Sequence, residues 1–145
     1  MKPLKLNIDI LNDDFFEGTR LLGIIAPIKK HLFCWRLNDT MGFSFNLSNE
    51  IEIPLRKKER NYFFALYRSQ QYNSSLEHLV YYNQCDGEYL LPEFKHIDYL
   101  WLIRGDSIEE EHYQWIKQGI KSIADVQFVT ELSNEQIKTK GNLVF

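Results

Sequence analysis

Two carboxylates five residues apart, Glu93 and Asp98, stand in the stretch LLPEFKHIDYLWLIRG, residues 90–105. A carboxylate pair is the least equipment that acid–base catalysis needs, provided the surroundings push the two pKa values apart. Pro92 just upstream restricts Leu91 to extended backbone. It also belongs at a sheet edge or before a strand, since it cannot donate to a ladder. Alternation through HIDYLWLIR then puts Ile97, Tyr99, Trp101 and Ile103 on one face, with Asp98, Leu100 and Leu102 on the other. An aspartate among leucines is a poor strand former, and burial requires hydrogen bonds or a countercharge to offset desolvation. That requirement favours a second reading, in which Glu93 and Asp98 hold nearby backbone amides and fix the start of a strand. Tyr99 is assigned to the core.

The same residues carry a resemblance. Leu91-Pro92-Glu93-Phe94-Lys95-His96-Ile97-Asp98-Tyr99 resembles the motif of the bacterial IPExxxVDY family, with Leu91 for the first Ile and Ile97 for Val. Pro92, Glu93, Asp98 and Tyr99 match with the three-residue spacer between them, and the rest of the chain is similar in order. The family has no assigned activity, so the resemblance implies no cofactor and no catalytic residue.

Other constellations are weaker. His31 and Cys34 have the i, i+3 spacing of two metal ligands on a helix, but His78, Cys85, His96 and His112 supply no matching cluster for a four-ligand site. No metal and no cofactor are expected. Neither a glycine-rich phosphate loop nor a nucleophile elbow occurs. The strand RNYFFALY (60–67) partly fits the aromatic pattern of RNA-recognition sheets through Arg60, Tyr62, Phe64 and Tyr67, while Asn61 and Phe63 stand where that pattern has small residues. Tyr62, Phe64 and Tyr67 are therefore the candidate stacking residues of a single-stranded RNA platform. A core role is preferred for them, and nucleic acid is not expected as a partner of a chain with net charge −3.

The elements that must position these residues fit one domain spanning 1–145. A chain of 145 residues with 44% hydrophobic side chains can build a core without disulfides, and aromatics at 14% must carry much of its packing. Two cysteines, no apolar leader and no long apolar run lead to the expectation of a cytoplasmic protein without a membrane span. Strands are expected at 4–10, 20–26, 43–47, 51–55, 61–69, 78–83, 96–104 and 126–132. One helix runs from Pro27 to about Met41, stopped by Gly42, and another follows Ser107, which pairs with Glu110 as a capping box. The segments 20–47 and 97–131 each read strand–helix–strand. The expectation is an α+β two-layer sandwich, a mostly antiparallel sheet with both helices on one face, ferredoxin-like with extra strands.

The two helices differ in pattern. At about 100° per residue, Ile108, Trp115, Ile116, Ile120 and Ile123 share one arc of the second, opposite Glu110, Gln114, Lys117, Gln118 and Lys121. The first has two apolar stripes, Ile28, Leu32 and Trp35 against Phe33, Leu37 and Met41. A second stripe needs a second partner: either this chain's own loops or tail, or a subunit interface through Phe33, Leu37 and Met41. The functional expectation is a non-enzymatic binding or oligomerisation module, as a homodimer or with another protein. Single-stranded RNA binding is the alternative, and an enzyme using the Glu93/Asp98 pair comes third.

Overall fold

A computed structural model describes residues 18–48, 53–57, 60–70, 75–105, 108–133, 136–137 and 140–143. The expected strand at 4–10 and Ser107 of the expected capping box lie outside them.

The chain is α+β, with two helices and an antiparallel six-stranded sheet. Its strands are β1 (Arg20–Ile25), β2 (Asn46–Leu47), β5 (Leu66–Gln70), β6 (Glu77–Tyr82), β9 (Tyr99–Arg104) and β10 (Phe128–Leu132), in the spatial order β10-β1-β9-β6-β5-β2. Two hairpins stand apart from it: β3 (Ile53–Lys57) with β4 (Arg60–Phe64), and β7 (Gln84–Cys85) with β8 (Glu88–Tyr89). Helix α1 (Lys30–Met41) follows β1, and helix α2 (Glu110–Lys121) joins β9 to β10. Since β9 and β10 both run antiparallel to β1, which lies between them, they point the same way.

The aromatic stretch expected as one strand is two. The chain breaks at Ala65, so β4 pairs with β3 while β5 enters the main sheet. Apolar residues on both faces of this stretch are explained by its serving two different sheets.

Both helices pack on one face of the main sheet. Phe33, Cys34, Leu37 and Met41 of α1, with Tyr113, Ile116 and Ile120 of α2, share a core with Leu22, Ile24, Val80, Tyr99 and Trp101. The other face is covered too. Leu21, Leu66, Leu79, Tyr81, Leu100 and Leu102 pack there against Tyr62, Phe64, Leu90, Leu91, Ile97, Ile137 and Leu143. A helix layer on a sheet thus describes one side only, because the β4 hairpin, the motif segment and the chain's end form a covering on the other. Tyr81 Oη donates to Leu143 O at 2.8 Å, and Asn142 Nδ2 donates to Leu90 O at 2.8 Å, tying that end down.

Gly42 closes α1 in the left-handed conformation (φ 76°), its N–H donating to Asn38 O at 3.1 Å. The Asn38 side chain continues the stop, accepting the Phe45 N–H at 2.7 Å and donating to Phe45 O at 3.1 Å. The helix begins at Lys30, later than Pro27. In α2 the inward aromatic is Tyr113 and the outward one is Trp115, reversing the expected arc at that point. Residues 113, 116, 120 and 123 form the tighter stripe. Arg20 lies over the Tyr113 ring, 3.4 Å from its centre, while reaching Glu110 at 2.5 Å and Glu131 at 2.9 Å. That cation joins β1, α2 and β10. Among the described residues, no helix is long and apolar enough to cross a membrane.

Candidate functional site

The motif begins as a turn. Leu91 is extended (φ −115°, ψ 92°), as the residue before a proline must be, and Pro92–Phe94 form a single 3₁₀ turn with the proline at its first position. Glu93 is half-buried within that turn. The strand starts only at Tyr99, so the expected alternation holds for residues 99–103 and fails before it: Ile97 joins the leucine face. Asp98 therefore stands at the foot of β9, outside the strand.

Its carboxylate grips another part of the chain. Asp98 Oδ2 accepts the Ala26 N–H at 2.8 Å, while the Asp98 N–H donates to Ile24 O at 2.9 Å. Tyr99 does the same from the neighbouring position: its hydroxyl donates to Ile28 O at 2.5 Å and its ring stacks on Phe33 at 4.1 Å. Burial holds the Tyr99 phenol well above its ordinary range, so it acts as a neutral donor. Asp98 and Tyr99 together fix the connection from β1 to α1.

A third polar residue, which the sequence pattern did not single out, ties down the motif itself. Asn83 is wholly buried. Its side-chain amide donates to Phe94 O at 2.9 Å and Ile97 O at 3.0 Å, and Oδ1 accepts the Leu91 N–H at 2.8 Å. Its backbone N–H donates to Asp98 O at 3.0 Å and its carbonyl accepts the Leu90 N–H at 2.9 Å. Two carbonyls and one amide of the motif are thus satisfied by this one side chain, as burial demands. A single Asn directly after the apolar run HLVYY was the only available signal.

Beside the motif lies an open cleft of about 440 Å³, lined by Lys30 at the start of α1, Leu47, Phe63, Tyr82, Cys85 and Asp86 among others. Tyr82 joins the two regions, its ring 5.2 Å from that of Tyr99 on one side and forming cleft wall on the other. Lys30 Nζ stands 5.2 Å from the centre of the Tyr82 ring. A smaller hollow of about 200 Å³ borders β10 at Lys121 and residues 126–129.

The other expected site residues fall as follows. Phe33, Leu37 and Met41 are buried between α1 and the sheet, so they are core within one chain and are not free to form a subunit surface; the exposed aromatic of α1 is Trp35. Tyr62, Phe64 and Tyr67 are buried as well, at 6%, 3% and 9% exposure, and cannot serve as a stacking platform; Phe63, between them, is the one turned outward. Cys34 is buried and His31 exposed. Among the described residues, no group of three or more His, Cys, Asp or Glu could hold a metal ion.

Two further groups show how the core has disposed of reactive side chains. Burial pushes the Cys34 thiol up to about 12, far from a nucleophile's range. His78 is buried, and burial, with a smaller contribution from His112, brings its imidazole down to about 4. Trp101 Nε1–H donates to His78 Nδ1 at 3.1 Å, which puts the imidazole proton on Nε2.

No protein-family model matches the chain, and a comparison with curated proteins finds no match.

Proposed function

We propose that this chain is a non-enzymatic binding module whose motif residues are struts for the backbone. One observation carries the reading: Asp98 and Tyr99, the motif groups best suited to chemistry, are spent on Ala26 N–H and Ile28 O. The buried thiol and imidazole, Cys34 and His78, are likewise held in their neutral forms at pH 7. Membership of the IPExxxVDY family is proposed on the motif alone. A ferredoxin-like layout with extra strands is supported by β9, α2 and β10, a strand–helix–strand unit split by β1.

The test is binding without turnover. Asp98→Asn keeps an oxygen for the Ala26 N–H and should preserve the fold and any ligand affinity. A compound that binds in a thermal-shift screen should be recovered unchanged from long incubation. Conversion of the bound compound by the native chain, abolished by Asp98→Asn, would overturn the reading in favour of an enzyme.

Self-association is the second reading, and it moves to the outer surface of the helix layer. Trp35 on α1 and Trp115 on α2 are 57% and 54% exposed there. Large apolar side chains left in water mark contact surfaces. Replacing both with glutamate should lower the particle mass measured by light scattering, and an unchanged mass removes this reading.

A further inference from the structure

We infer that the cleft beside the motif binds an amphipathic organic monoanion, an apolar body carrying one carboxylate or sulfonate, with Lys30 as the countercharge. This rests on the non-enzymatic reading above and adds the class of ligand. Three independent features meet in that cleft.

The first is size. About 440 Å³ falls within the range of small-molecule sites. The second is exposed apolar surface. Leu47 and Phe63 are 52% and 53% exposed, and both line the cleft. A benzyl and an isobutyl group left in water at one concavity are stabilised by covering them with an apolar body.

The third is charge. Among the described residues Lys30 takes part in no ion pair, and the Tyr82 ring lies 5.2 Å from its Nζ. The first turn of α1 contains no acid that could neutralise it. Asp86 also lines the cleft, so any anion meets like-charge repulsion there, and a doubly charged head group meets more of it than a monoanion. Phosphate esters are therefore disfavoured against carboxylates.

The cleft supplies its own reporter. The chain has two cysteines: Cys34 is buried with its thiol held up to about 12, whereas Cys85 is half-buried and lines the cleft. Alkylation by iodoacetamide, located by peptide mass spectrometry, should reach Cys85 first. Octanoate and 2-naphthoate are the probes, with octanol, 2-naphthol and inorganic phosphate as comparisons, and they distinguish an aliphatic body from an aromatic one.

At least one of the two carboxylates should slow Cys85 alkylation saturably, more strongly than its neutral counterpart, while phosphate leaves the rate unchanged. Lys30→Gln, a surface change, should weaken that protection about fivefold, the worth of a partly exposed ion pair. Phe63→Ser should weaken it as well. No protection by either carboxylate, equal protection by the alcohols, or protection indifferent to Lys30→Gln would overturn the inference and leave the non-enzymatic reading standing. Chemical conversion of a protecting carboxylate would do the reverse.

Discussion

The buried imidazole of His78 makes stability depend on pH in a window where few other groups titrate. In the unfolded chain its pKa is about 6.5, and in the fold burial brings it down to about 4. Above pH 6.5 both states hold a neutral ring and nothing differs. As pH falls below 6.5 the unfolded chain takes up a proton that the folded one refuses, so stability declines until about pH 4 is reached. The whole effect is about 3 kcal/mol, and roughly 2 kcal/mol of it falls between pH 7 and pH 5. For a domain of this size that corresponds to a melting temperature lower by roughly 6 °C.

The comparison variant is His78→Gln, whose side-chain oxygen can still accept the Trp101 indole N–H. Urea unfolding at pH 7, 6 and 5 should give a falling stability for the native chain and a nearly flat one for the variant. The difference between the two curves isolates His78 from the carboxylates, which titrate lower. Parallel curves, with the native chain losing no more than the variant, would refute the burial argument and place water or a proton acceptor at Nε2.

Asn83→Ala should destabilise by about 3 kcal/mol, because it strands Ile97 O and the Leu91 N–H inside the protein and leaves Phe94 O with only the Ile97 N–H; chemical denaturation measures this, and a loss under about 1 kcal/mol would mean that water replaces the amide. Gly105→Ala should cost at least about 3 kcal/mol. At φ +109° an added Cβ would lie 2.1 Å from Ser75 O, so a melting temperature near that of the native chain would contradict the backbone course there. Arg20→Met should cost about 1 kcal/mol at pH 7. The cost should shrink in acid: hydrogen bonding to Arg20 holds the Glu131 carboxyl below its usual value, and the benefit is present above the ordinary carboxylate range and lost as pH falls through that lowered value. Melting curves of both proteins at pH 7 and in acid check this.

What could be read from the chain was whatever period and punctuation encode. The strand at 20–25, the Gly42 stop and the alternation from Tyr99 to Ile103 follow from local rules, and the structure carries them. The break at Ala65 has no glycine or proline to mark it, and it depends on which neighbours are free to pair. The two stripes of α1 were almost equally apolar, so only the packed sheet decides that Phe33, Leu37 and Met41 go in while Trp35 stays out. Trp115 misled for a related reason: hydrophobicity ranks it above Tyr113, yet Tyr113 lies in line with Ile116 and Ile120 and its ring supports Arg20. Asn83 was hidden because its partners are carbonyls 11 and 14 residues away. A buried polar residue advertises nothing until the groups it satisfies are known.

The motif's value then lies in position. Asp98 and Tyr99 hold Ala26 and Ile28, and Lys30 comes two residues later. Asn83 holds the motif, with Tyr82 just before it and Gln84, Cys85 and Asp86 just after. Two parts of the cleft wall are thus sequence neighbours of residues held by the motif's hydrogen bonds. On the proposed reading, the aspartate at the foot of this core strand serves by keeping the Ala26 N–H in place. It follows that damage to the strut should be felt at the cleft. Asp98→Ala leaves the Ala26 N–H without its acceptor, should lower stability by about 2 kcal/mol, and should speed Cys85 alkylation under conditions where the chain is still folded. Asp98→Asn should do neither to the same extent. An Asp98→Ala protein with unaltered Cys85 reactivity would separate motif from cleft and leave the motif as a fold element alone.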